Sequence, residues 1–110
     1  GWNAVAGSTG TGTTSGSVSN KLITPGETVK LQAGDNLNVD QSGGTFTYSL
    51  KKDISLDSVT TGDTKVANGG ITIGTGSNQV SLTNNGLNNG GNKITNVAAG
   101  TNKNDAVNVG

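Results

Sequence analysis

The carboxylates are the side chains here best suited to chemistry, and two pairs lie close in sequence, Asp35 with Asp40 and Asp53 with Asp57. Two carboxyl groups held ~5–9.5 Å apart can hydrolyse a glycoside. Each of these acids stands beside a turn, however, where a carboxylate is ordinarily a solvated cap, and no pocket-forming apolar residues accompany them. The chain has no His and no Cys. A Ser–His nucleophile is therefore impossible, and the commonest metal ligand, the thiolate metal site and the disulfide are all missing. Gly43-Gly44 and Gly69-Gly70 lack the Asp that a calcium-binding β-roll needs after its glycines. The glycines between residues 7 and 16 are not closed by the Lys-Ser/Thr of a phosphate loop. No enzyme, no catalytic residue, no cofactor and no metal site is expected. Phe46 and Tyr48, the only Phe and Tyr, sit two residues apart. They read as the core of a sheet, with a sugar-binding aromatic platform as the minor alternative.

The elements that carry these residues are short strands. Thr45 to Leu50 alternates, with Phe46, Tyr48 and Leu50 on one face. Thr28 to Ala33 alternates as cleanly, with Val29, Leu31 and Ala33 on one face. Leu37–Gln41, Ile54–Val59, Thr64–Ala67, Ile71–Ile73 and Gln79–Thr83 are further strands. Turn signals separate them: Pro25-Gly26, Gly34-Asp35-Asn36, Ser42-Gly43-Gly44, Thr61-Gly62-Asp63, and Asn68-Gly69 with the type I′ pattern. Residues 7–20 are Gly/Ser/Thr-rich and read as a linker, or as an edge segment that a neighbouring chain captures.

Composition limits how such strands can be held. Only 29% of the 110 residues are hydrophobic and 3% aromatic, and 19 are Gly. A typical globular domain is about 45–50% apolar. Two readings follow, disorder or a core shared between identical chains. Disorder goes with high net charge and few β-branched residues. This chain has seven basic residues against seven acids, for a formal net charge of zero, and its Thr, Val and Ile are patterned. The shared core is preferred. The balanced charge gives no footprint for nucleic acid or an anionic membrane. No apolar run approaches the ~20 residues needed to span a bilayer.

Two places stand out from the strand pattern. Trp2, the only Trp, lies at the beginning of the sequence; it is either a lone exposed aromatic or one of several indoles converging on a symmetry axis. Gly86 to Gly110 begins in Gly and Asn, passes through Lys93-Ile94-Thr95-Asn96-Val97, and ends in Asn104-Asp105-Ala106-Val107-Asn108-Val109. Asn then Asp before apolar residues is a helix-start signal, with Asn104 as cap and Asp105 at the positive end of the helix dipole. A helix is therefore expected from Asn104.

Gly86 to Val109, GLNNGGNKITNVAAGTNKNDAVNV, resembles the neck of trimeric autotransporter adhesins, fibrous surface proteins of Gram-negative bacteria. Gly34 to Val59 is similar to their β-rich heads, and Gly1-Trp2-Asn3 to the opening of their Trp-ring modules. The resemblance implies a mainly β fold, an intertwined homotrimer of small antiparallel sheets followed by a neck that leads into a trimeric coiled-coil helix. Residues 1–83 would be the Trp-ring-like head and 84–110 the neck with the first turn of the stalk helix. Trp2 would be the ring tryptophan. Gly86, Leu87, Asn88, Gly90, Gly91, Lys93, Ile94, Asn96, Val97, Ala98, Gly100 and Thr101 would form the neck. Asn104, Asp105, Ala106, Val107 and Val109 would start the stalk helix, with Ala106 and Val109, or Val107 with the next apolar position, facing the threefold axis.

The implied function is a structural and adhesive module of an exported bacterial cell-surface fibre. The parent protein would bind a host cell-surface receptor or extracellular matrix, with no nucleic acid and no membrane contact by this segment; signal and anchor are expected outside it. Adhesive and non-adhesive modules differ by a few surface side chains, and no aromatic cluster marks a binding hot spot. A spacer is therefore preferred, with a directly receptor-binding head as the alternative. A carbohydrate-active or phage-fibre β module is a third reading.

Overall fold

A computed structural model describes residues 1–110 as nine strands and one short 3₁₀ turn. The chain divides into two compact units, Gly1–Ile54 and Ser55–Gly110.

In the first unit, β1 (Trp2–Ala4) pairs antiparallel with β2 (Lys21–Ile23), across the Gly/Ser/Thr-rich residues 5–20. Then β3 (Leu37–Ser42) and β4 (Thr45–Leu50) form a separate antiparallel hairpin. Its tip is Gly43-Gly44, with Gly43 at φ +59°. At the open end the Lys51 N–H donates to the Asn36 carbonyl at 2.8 Å. The Pro25-Gly26 turn forms as its residues dictate: Gly26 takes φ +88° and the Glu27 N–H donates to the Thr24 carbonyl at 3.1 Å.

The second unit holds a five-stranded antiparallel meander in the order β5 (Ser58–Thr61), β6 (Thr64–Ala67), β7 (Gly70–Ile73), β8 (Val80–Thr83), β9 (Gly86–Asn88). The 3₁₀ turn Gly76–Asn78 lies between β7 and β8. The mainly β expectation of small antiparallel sheets holds.

Several local expectations need correction. Thr28–Ala33 alternates like a strand but has no ladder partner in the chain. Alternation sets the faces of an extended segment; it does not supply a partner for the N–H and C=O groups. Ile54–Asp57 is likewise outside the ladder, so the strand expected over 54–59 is confined to Ser58–Thr61. Asn68-Gly69 does connect β6 to β7, but neither residue takes positive φ, as a type I′ turn requires. The positive φ, +139°, falls on Gly70, where an added Cβ would collide with the Leu82 carbonyl oxygen. The close approach of β8 demands glycine there.

No hydrophobic side chain is buried in either unit, and Gly90 is the only buried residue of the chain. The single chain has secondary structure without a core.

Candidate functional site

The register of the five-stranded sheet lines up one row of apolar side chains. Val59 faces Val66, Val66 faces Ile71, Ile71 faces Leu82, and Leu82 faces Leu87. Directly opposed residues share a face, so this row crosses all five strands. Ile73 and Val80 pair beside it on the same face. The opposite face carries the polar row Thr60, Lys65, Thr72, Ser81 and Asn88. A sheet with one apolar and one polar face packs its apolar face on something. Here every member of the apolar row is more than a third exposed, up to 56% at Leu87.

The β3–β4 hairpin repeats the pattern. Leu37 opposes Leu50 and Val39 opposes Tyr48, while Phe46 lies opposite Gln41. Phe46, Tyr48 and Leu50 share a face, as their spacing predicts, and all three are exposed. An isolated two-stranded hairpin is marginal in water, so this ribbon also requires a cover.

Trp2 lies in β1 opposite Ile23, with 57% of its surface exposed. It shares a groove with Ile23, Pro25, Glu27 and Val29. The turn beneath is pinned by Glu27, whose carboxylate accepts from the Thr24 N–H and from Lys21 Nζ, each at 3.2 Å.

Gly86, Leu87 and Asn88 belong to β9 and close the sheet. The chain then turns at Asn89–Asn92, with Gly90 at φ +64° and Gly91 at φ +79°. The Asn92 N–H donates to the Asn89 carbonyl at 3.0 Å, and Asn92 Nδ2 donates to the same oxygen at 2.9 Å. Asn89 Nδ2 donates to the carbonyls of Asn92 and Lys93, at 2.9 and 3.2 Å. The Gly90 N–H donates to Asn88 Oδ1 at 3.0 Å. Positive φ at both central residues is the type I′ signature, so the turn expected at Asn68-Gly69 is found here. Asn96 takes φ +64°, one of two non-glycine residues to do so. Asn tolerates this because its short polar side chain bonds locally. Ile94 is 66% exposed.

The helix expected from Asn104 is absent. A turn over Asn102–Asp105 takes its place, closed by the Asp105 N–H donating to the Asn102 carbonyl at 3.1 Å. The Asp105 carboxylate accepts the N–H groups of Thr101 and Asn102 at 3.0 and 2.9 Å. It faces back along the chain instead of capping a helix ahead. Ala106, Val107 and Val109 share a groove with Ile94 and Val97. Asn108 Nδ2 donates to the Val97 carbonyl at 3.1 Å, which fastens the return. The physical reason is local: the Asp105 carboxylate is taken up by N–H donors behind it, at Thr101 and Asn102, and no neighbouring helix covers Val107, which is 84% exposed. The backbone bonds from Asn102 and Thr101 hold the Asp105 carboxyl below the usual Asp range.

No group of three or more His, Cys, Asp or Glu side chains is placed to hold a metal ion. No helix is long and apolar enough to cross a membrane. The signal that sequence reading missed is the cross-strand row, which depends on register and is invisible in any one strand.

No family model and no curated protein matches the chain. Among solved structures it is similar to N-terminal domain 1 of VompD from Bartonella quintana, at 25% identity over 99% of this chain and 92% of that one, with a TM-score of 0.79. It is also similar to the C-terminal stalk of AtaA from Acinetobacter sp. Tol 5, fused to GCN4 adaptors, at 33% identity over 74% of this chain and 28% of that one, with a TM-score of 0.43. The second likeness is too loose to define a shared fold. The first spans nearly all of both chains and shows a shared fold. That likeness agrees with the Trp-ring-type head module of trimeric autotransporter adhesins that the sequence resembles. A structural and adhesive module is the role that this likeness supports.

Proposed function

We propose that this segment is a rigid spacer head in its fibre, a homotrimer whose chains supply one another's core. The observation that carries this is the apolar row Val59–Val66–Ile71–Leu82–Leu87, continuous across the sheet yet exposed in the single chain. Covering such a row yields ~25 cal/mol for each Å² of apolar surface removed from water. In this reading residues 1–83 act as the head and 84–110 as the neck and the lead-in to the stalk. Trp2 meets its two copies on the threefold axis. Gly86–Thr101 hands each chain toward its neighbour through the positive-φ turns at Gly90, Gly91 and Asn96. Asn104, Asp105, Ala106, Val107 and Val109 lie where the stalk begins.

Binding of a host receptor or matrix is assigned to other parts of the parent protein. The polar face, with Lys65 its only charge among hydroxyl and amide groups, offers no aromatic or Arg anchor of the kind that dominates binding energy. Multi-angle light scattering on the purified chain tests the assembly, and a folded monomer would sink it. Cell- and matrix-binding assays on the trimer test the spacer role. Saturable binding would replace it with the receptor-binding head.

A further inference from the structure

The chain contains three Asn-Gly pairs, Asn68-Gly69, Asn85-Gly86 and Asn89-Gly90. Each is chemically predisposed to the same self-reaction. The backbone nitrogen of the glycine can attack the amide carbon of the preceding Asn, because no Cβ shields it. The local structures differ, and they separate the pairs.

At Asn89-Gly90 both reactants are held. Asn89 Nδ2 donates to two carbonyls, those of Asn92 and Lys93. The Gly90 N–H donates to Asn88 Oδ1, and Gly90 is buried. At Asn85-Gly86 the glycine opens β9 opposite Thr83, and the Asn85 N–H donates to Thr83 Oγ1 at 3.1 Å. Asn68-Gly69 lies wholly in the β6–β7 connection, outside the ladder, and both residues are exposed. No hydrogen bond like those at Asn89 ties its side chain, and the space around Gly69 is open.

We propose that Asn68 is a site of spontaneous, enzyme-independent deamidation, built into the exposed β6–β7 connection, while Asn89-Gly90 is kept intact by its hydrogen bonds. The Gly69 nitrogen forms a bond to Cγ of Asn68 and loses its proton. The Cγ–Nδ2 bond breaks and ammonia leaves. Water then opens the resulting succinimide, at one carbonyl to give aspartate and at the other to give isoaspartate. Water is the only co-reactant, and nothing is oxidised or reduced. The product places a carboxylate at the hairpin tip of a chain whose formal net charge is zero. The isoaspartate form also adds a methylene to the connection. The proposal does not depend on the spacer reading.

Peptide mapping of the folded chain, held at mildly alkaline pH and sampled over time, reads each site separately, with aspartate and isoaspartate distinguished by electron-transfer fragmentation. Asn68 is expected to convert at least about tenfold faster than Asn89, the factor set by a restraint of ~1.4 kcal/mol. In denaturant the two rates should converge. Gly69→Ala, which the open space tolerates, should slow Asn68 and leave Asn89 unchanged. Equal rates at Asn68 and Asn89 in the folded chain would overturn the proposal. So would an Asn68 that survives in the folded chain while converting in the unfolded one, or a Gly69→Ala variant with an unaltered Asn68 rate.

Discussion

The backbone of Gly90 passes so close to Asn78 that a Cβ on Gly90 would stand 2.5 Å from the Asn78 carbonyl oxygen. Gly91, its neighbour in the same turn, takes φ +79° with open space around it. The two glycines separate two effects. Gly91→Ala meets only the left-handed backbone, at a cost of about 1–2 kcal/mol. Gly90→Ala meets that and the collision with Asn78. Thermal unfolding followed by far-UV circular dichroism should show a clearly larger loss for Gly90→Ala. Equal losses would mean that the approach to Asn78 is not kept in the folded protein.

A charge on the apolar row tests the shared core. Ile71→Lys places an ammonium between Val66 and Leu82. It is expected to dissociate the trimer, because a charge buried between chains without a partner is strongly disfavoured. Thr72→Lys, one residue on and on the opposite face, should leave assembly intact. Sedimentation velocity distinguishes the two. A trimeric Ile71→Lys would show that the row stays in solvent.

Trp2 is expected to add stability to the assembly without nucleating it. Indoles bury about 150–250 Å² each, so Trp2→Ala should lower the unfolding temperature while residues 86–101 stay assembled. The indole emission of the wild type should be blue-shifted relative to the unfolded chain. Unchanged unfolding with a solvent-like emission maximum would remove Trp2 from the ring.

Asp105 supplies a pH dependence. Its folded pKa lies below the usual value because Asn102 and Thr101 donate to the charged form. A group with a depressed folded pKa contributes stability that is fully present above its unfolded pKa and is lost as pH falls through the folded one. The Thr101–Asp105 turn should therefore be closed at neutral pH and loosen only below the ordinary Asp range of ~4. Asp105→Asn should abolish that acid transition. Amide shifts of Thr101 and Asn102 read it directly, and their indifference to acid would rule out the capping role.

Much of the hairpin structure was legible in the sequence. Thr45–Leu50 carries its own alternation and its glycine turn, so local pattern and final pairing agree. Pairings that span long stretches were not legible. Trp2–Ala4 and Lys21–Ile23 are short, separated by residues 5–20, and contain nothing that names the other as partner. Thr28–Ala33 shows the converse, a well-patterned strand for which one chain offers no ladder. The helix signal at Asn104-Asp105 was sound chemistry for a cap, but the carboxylate found nearer donors behind it at Thr101 and Asn102. The apolar row was hidden because each strand contributes only one or two of its members.

The order of the large sheet also bears on how the chain comes to be folded. Every strand of the meander is bonded only to its immediate neighbours in sequence, so no pairing within it waits for a distant part of the chain. Local pairings close quickly because little chain must be gathered first. Such a sheet can be knitted row by row, each hairpin laid against the one before it. Each completed hairpin offers an edge to the next, so growth of the sheet can run in one direction along the chain.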